Sequence, residues 1–185
     1  MVLTLSLKRI VITGAMGSGK STLLAELRTR GFTVVPEPSR IVLAEQRAAG
    51  GDGVPERSPQ RFCNLMLERM KSDYDEHPSA FYDRGIPDLV GYAHLFGLEP
   101  PRLDDRRYDD RVFVLPAWRE IYATDDERTM TFELAEAFGE DVRCIYEGLG
   151  YETVDVPKET PSARASFILG VCISRSAGAR APKGK

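Results

Sequence analysis

The chain predicts an α/β fold, a five-stranded parallel sheet covered by helices on both faces. Three observations lead there. Short apolar, β-branched runs alternate with helix-period segments along the chain. A glycine-rich stretch, 14–19, separates the first such run from the first helical pattern. The 185 residues suffice for one domain with a single core of that size.

The elements follow in order. Residues 9–13, with Ile10, Val11 and Ile12, read as the first strand, and 21–27 as the first helix, closed by Arg30 and Gly31. Residues 32–35 form a short second strand ended by Pro36, and Pro38 is placed to start a helix through Ile41, Ala44 and Ala48. Gly50, Gly51 and Gly53 break that helix. Ser58 and Pro59 then cap a long helix with Phe62, Leu65, Met66 and Met70 at helical spacing. Residues 80–82 are the third strand, and Pro87 starts a helix through Leu89, Val90, Ala93 and Leu95. Residues 111–115 are the fourth strand. Thr124 opens a helix carrying Phe132, Ala135, Phe138, Val142 and Ile145. Residues 151–156 are the fifth strand, and Thr160 and Pro161 cap a last helix through Phe167 and Ile168. Parallel strands joined this way imply right-handed crossovers.

Composition is that of an ordinary globule, with 42% hydrophobic and 29% charged residues. A net charge of -3 gives no overall attraction to nucleic acid or an anionic membrane. Residues 1–7 are apolar but too short for a signal core or a membrane span. Cys63, Cys144 and Cys172 are odd in number and widely spaced in helical patterns, which reads as reduced core thiols in a cytoplasmic protein. The domain is expected to span 1–174, with 175–185 a disordered basic tail. Most of Phe62, Tyr74, Tyr82, Tyr92, Phe96 and Trp118 are expected in the core. His77 and His94 have no triad or metal-ligand spacing.

Residues 14–21 fit G-x-x-x-x-G-K-[ST], the P-loop pattern, in its strand–loop–helix context. Gly14, Gly17 and Gly19 permit backbone angles that wrap consecutive N–H groups around a phosphate, with Ala15, Met16 and Ser18 between them. The helix beginning at Lys20 aims its positive dipole end at the same point. Lys20 adds a point charge, Ser21 offers a hydroxyl to Mg²⁺, and Thr22 completes the loop. The expected ligand is ATP or another nucleoside triphosphate.

In parallel sheets ligands bind outside the carboxyl ends of the strands. Glu37 stands after strand two, held extended by Pro38, and Asp83 and Arg84 stand after strand three. An acid facing a triphosphate needs Mg²⁺ or a substrate hydroxyl between them. Glu37 is therefore a candidate general base and Asp83 a candidate metal ligand, with Arg84 suited to phosphate. As bland alternatives, Glu37 reads as a helix N-cap or a solvated surface acid, and Asp83 as a helix cap or a salt-bridge partner of Arg84.

The stretches 14–22, 37–40, 82–88 and 124–128, with Val156 and Pro157, give the chain its resemblance. It is similar to the small-molecule kinase branch of P-loop NTPases, including deoxynucleoside, thymidylate and nicotinamide riboside kinases. It most resembles a bacterial family of predicted AAA-like ATPases grouped near them. The resemblance implies a three-layer sandwich with strand order 2-3-1-4-5. It implies Glu37 as base, and Asp83-Arg84 in place of a Glu-Arg or Asp-Arg pair. A lid is implied at about 116–130 carrying Arg119 and Arg128, with Arg128 a candidate for neutralising the moving phosphoryl group. Val156, Pro157 and Lys158 are placed near the adenine. The segment lacks the tight arginine run of that lid.

A mechanical AAA-type ATPase would need adjacent carboxylates closing an apolar strand, and none is present. A GTPase would need Asn/Thr-Lys-x-Asp; Met70 stands in the first place of the nearest match. The D-x-x-G letters at 88–91 fall at a helix start and read as accidental. The expected reaction is phosphoryl transfer from ATP to a small acceptor, nucleoside-like or otherwise. The alternative is a nucleotide-dependent ATPase or switch acting on a protein partner. A nucleic-acid-end kinase is disfavoured by the acidic balance.

Overall fold

A strand buried on both faces needs helices above and below it, and the apolar runs of this chain obtain both. The computed structural model describes residues 8–123 and 130–178. Five parallel strands, β1 (Arg9–Gly14), β2 (Val34–Val35), β3 (Ala80–Asp83), β4 (Arg111–Leu115) and β5 (Glu152–Asp155), lie in the order β2-β3-β1-β4-β5. That is the expected order. Register sets Ile12 beside Asp83 and Gly14 beside Leu115, so the ends of β1, β3 and β4 stand level.

Side-chain alternation sorts the core into two halves. Ile10, Ile12, Phe81, Phe113 and Leu115 pack under α1 (Lys20–Thr29) and α6 (Pro161–Gly178), against Leu23, Leu27, Ala165 and Ile168. Val11, Tyr82, Val112 and Val114 face the other way. They pack on α3 (Pro59–Glu76), α4 (Asp88–Phe96) and α5 (Phe132–Gly148), through Phe62, Met66, Leu89, Phe138 and Val142. The last helix, α2 (Pro38–Ala48), starts at Pro38 as expected and packs Val42 into this half. This is the three-layer sandwich.

Several expectations need correction. β2 is two residues long, because Phe32 turns into the core under Phe81 and the pairing to β3 starts only at Val34. Helix α5 begins at Phe132, where Thr131 Oγ1 accepts the Leu134 amide at 3.3 Å. The opening at Thr124, with Arg128, lies outside the described residues. Ser58 occupies the cap position of α3, but its hydroxyl makes no capping bond. Helix α6 runs to Gly178, past the expected domain end at 174; 179–185 lie outside the described residues. Cys63 is buried and Cys172 half-buried, but Cys144 is exposed, on the outer face of α5. Phe96, placed with the core aromatics, is half exposed. Among the described residues no helix is long and apolar enough to cross a membrane.

Candidate active site

The level strand ends bring three loops together. At the end of β1, Gly14 has φ 118°, and a Cβ there would lie 2.2 Å from the Leu115 carbonyl oxygen, so only glycine fits against β4. The Ala15 amide donates to that same carbonyl at 3.2 Å. Gly17 and Gly19 are also left-handed, and Ser18 Oγ donates to the Ala15 carbonyl at 2.7 Å, closing the loop on itself. Thr22 Oγ1 donates to the Gly19 carbonyl, while Ser21 stands exposed in the first turn of α1. Met16 is partly buried against the core.

Lys20 is 7% exposed, and its Nζ donates to the Ala15 and Gly14 carbonyls at 2.7 and 3.3 Å. Burial, with the Arg84 charge beside it, brings the ammonium down to about 7, against the pull of Asp83, Glu37 and Asp88. An anion in the loop would reverse that shift, so Lys20 is poised to gain charge as a polyphosphate binds.

Arg84 is the hinge of the site. It is the one described non-glycine residue with positive φ, at 72°, a conformation costing of order 1 kcal/mol or more for a large side chain. From there its Nε donates to Glu37 Oε1 at 3.2 Å, and its Nη1 to Asp88 Oδ1 at 3.1 Å and the Gly14 carbonyl at 3.3 Å. One guanidinium thus links the ends of β1, β2 and β3. Burial alone would lower its pKa; Glu37, Asp88 and Asp83 push the other way and keep it charged. Glu37 does take the cap position of α2, without a capping bond, and its second oxygen lies 3.9 Å from Arg40. Burial would raise its carboxyl, yet Arg84 and Lys20 hold it below the usual glutamate value.

Asp83 closes β3 and is 7% exposed, and its Oδ1 has no hydrogen-bond partner. Burial and the neighbouring Glu37 raise its carboxyl to about 6, although Lys20 and Arg84 pull it down. A buried, unpartnered carboxylate oxygen beside a phosphate loop fits a cation ligand. Charge points the same way. Glu37, Asp83 and Asp88 lie beside Lys20 and Arg84, and their negative charge would oppose a polyphosphate unless a cation stood between them. Among the described residues no group of three or more His, Cys, Asp or Glu could hold a metal alone. Mg²⁺, which binds through one or two protein oxygens plus phosphates and water, suits Ser21 and Asp83.

Other expected residues fall differently. Val156 is fully buried under α1 and α6. Its neighbours Pro157 and Lys158 are exposed. Arg119 pairs with Glu133 at 3.0 Å and stacks on Phe132 at the surface. Arg128 lies outside the described residues. Ile121 and Tyr122, in the stretch expected to form a lid, lie against the phosphate loop: a Cβ on Gly17 would meet the Tyr122 ring at 2.7 Å, and one on Gly19 would meet Ile121 Cδ1 at 3.2 Å. A cavity of about 310 Å³ between Pro87, Arg107 and Tyr151 includes none of Lys20, Glu37, Asp83 or Arg84.

Two site residues escaped the sequence reading. Asp88, 2% exposed, accepts from Thr13 Oγ1 and Arg84 Nη1 on one oxygen, and from the Gly85 amide and Tyr146 hydroxyl on the other. It stands four residues after Arg84 in the first turn of a helix, a spacing that marks the pair. Arg164, on α6, reaches the phosphate loop through the Ser18 carbonyl. A lone arginine among small and apolar helix residues was its only sign.

No curated protein matches the chain. Solved structures do. Deoxyadenosine kinase from M. mycoides with bound dCTP superposes with TM-score 0.64 at 16% identity, covering 90% of this chain and 99% of that one. Shikimate kinase from Acinetobacter baumannii in complex with shikimate gives 0.55 at 15% identity, over 92% and 96%. Thymidylate kinase from Candida albicans gives 0.56 at 14%, over 92% of each chain. At these identities the likeness is one of fold. The family described as AAA domain matches residues 9–164, from the first residue of β1 to the arginine that touches the phosphate loop. With that span of match, a P-loop between β1 and α1, and the kinase-like order β2-β3-β1-β4-β5, the chain belongs to the AAA domain family of P-loop proteins.

Proposed function

We propose that the protein is a Mg²⁺- and ATP-dependent small-molecule kinase. The observation that carries this is Arg84, whose single guanidinium bonds the phosphate loop, Glu37 and Asp88 at the level where β1, β2 and β3 end. Glu37, partly buried and held ionised by Arg84 and Lys20 beside the phosphate loop, supports a catalytic role beyond binding. Lys20 would bind the terminal phosphates. Glu37, ionised at neutral pH, would accept the acceptor's hydroxyl proton as that oxygen bonds the γ-phosphorus and the bond to ADP breaks. The transition state is loose, so a weak base suffices. Arg84 would offset the negative charge of the moving group. Ser21 and Asp83 are the residues to hold Mg²⁺, which supplies charge neutralisation on the phosphates.

The acceptor is a small hydroxyl compound, nucleoside-like or otherwise. The deoxyadenosine, shikimate and thymidylate kinases that share the fold support that range. The three free thiols are in keeping with a cytoplasmic location, which forms part of the proposal.

The test is a screen of nucleosides, nucleoside monophosphates and hydroxy acids for ATP-dependent phosphorylation, followed by Glu37→Gln. Turnover should fall by about 10²–10⁴ with nucleotide affinity little changed. Unchanged turnover removes Glu37 as base. If no acceptor raises ADP release above background, the kinase proposal gives way to a nucleotide-dependent switch.

A further inference from the structure

Arg164 is 2% exposed, among the most deeply buried large side chains of the chain, and it is an arginine. Its Nε donates to the Pro157 carbonyl at 2.9 Å and its Nη1 to the Ser18 carbonyl at 2.9 Å. Its Nη2 is buried with no acceptor, and no carboxylate lies within ion-pair distance among the described residues. The ring of Trp118, in the loop after β4, lies with its centroid 4.7 Å from the guanidinium carbon. Burial without a counter-charge lowers the guanidinium's pKa.

A buried cation satisfied only by two carbonyls and an aromatic face is expensive, because burial of an unpaired charge costs several kcal/mol. Packing alone would be better served by an apolar residue. The position explains the choice. Arg164 ties the loop after β5, at Pro157, to the far end of the phosphate loop, at Ser18 and Gly19; a Cβ on Gly19 would lie 3.0 Å from its Nη1. Lys20 Nζ lies at the opposite end, over Gly14 and Ala15. The guanidinium with the orphan N–H thus sits between the phosphate loop and the loop that follows the last strand.

We propose that Arg164 is a nucleotide-binding residue at the base end of the site, whose unpartnered N–H donates to an acceptor atom of the bound nucleotide's base, with Trp118 the cover that nucleotide entry moves. This rests on the nucleotide-binding part of the function proposed above and not on phosphoryl transfer. Arg164 bonds the Ser18 carbonyl and not the groups around Lys20 Nζ, so it acts through nucleotide affinity.

The chain has one tryptophan, so the full-length protein reports on Trp118 directly. Emission is titrated with MgATP and, separately, with magnesium tripolyphosphate, alongside calorimetry. Wild type should show an emission change on binding MgATP. Arg164→Met should lose about tenfold or more in MgATP affinity, while tripolyphosphate affinity changes by less than about threefold. If Arg164→Met does not fold, as judged by its melting transition, Arg164→Lys carries the same test, since it keeps the charge but not the fork. Unchanged MgATP affinity in a folded variant overturns the inference. Equal losses for both ligands also overturn it, since they would mark Arg164 as a brace of the phosphate loop alone. MgATP binding without an emission change removes Trp118 as the cover. MgATP binding with no acceptor ever phosphorylated leaves the inference standing and sinks only the kinase reading, whereas no MgATP binding by wild type sinks both.

Discussion

Glu37 and Asp83 face the same two cations yet hold their protons differently. Arg84 donates directly to Glu37, and that contact outweighs burial. Asp83 receives no such bond on Oδ1, so burial wins and its carboxyl rises from 3.8 to about 6. The sign of the consequence for stability follows. The folded chain keeps this proton up to about 6, whereas the unfolded chain releases it near the ordinary value, so ionised Asp83 opposes folding at neutral pH. Asp83→Asn should therefore stabilise the ligand-free protein by about 2–3 kcal/mol at pH 7, seen as a melting temperature higher by roughly 4–10 °C. The advantage should shrink to about half at pH 5, because it grows only between the ordinary carboxylate value and about 6. Turnover in the same variant should fall steeply. A variant that melts lower at pH 7 would mean that Asp83 stabilises the site in the absence of ligand.

Helix α5 sets how the phosphate loop sits. A Cβ on Gly139 would lie 3.0 Å from the Ala15 amide nitrogen and 3.2 Å from its Cα, so the helix rests on the loop backbone itself. Gly139→Ala pushes on backbone that cannot give without distorting the loop. MgATP affinity should weaken by about fivefold or more with a modest loss of stability, and calorimetric affinity equal to wild type would show that the loop tolerates the push. At this scale the sequence was readable where a pattern is local. The P-loop, Pro38 at the start of α2 and the range of β4 follow from spacing and from proline and glycine chemistry. Glu37, Asp83 and Arg84 could be placed together because parallel strands end level. Asp88 and Arg164 could not be ranked, since their importance lies in hydrogen bonds made across the fold, to Tyr146 and to Ser18. The inward turn of Val156, just past β5, was not readable either, because so short a strand does not fix its periodicity.

Over the whole molecule, the site lies at the carboxyl ends of the central strands, where the two half-cores on opposite faces of the sheet come together. Arg30 at the end of α1 donates to the Ser162 carbonyl at 2.8 Å and to Ser166 Oγ at 3.0 Å, fastening α1 to α6 on the side that carries Arg164. On the other side α4 and α5 enclose Asp88 through Tyr146. The outer strand β5 is lined by Glu152 and Asp155, paired with Arg111 and Arg143, and a charged margin of this kind discourages strand addition from another molecule. The three thiols divide by depth. Burial raises Cys63, and raises Cys172 to about 11, while Cys144 alone lies open to solvent. A maleimide dye at neutral pH should attach once to the native protein and three times after denaturation, by mass. The chain so carries a ready address for a single fluorophore, on the same helix whose glycine supports the loop, with no cysteine engineering required.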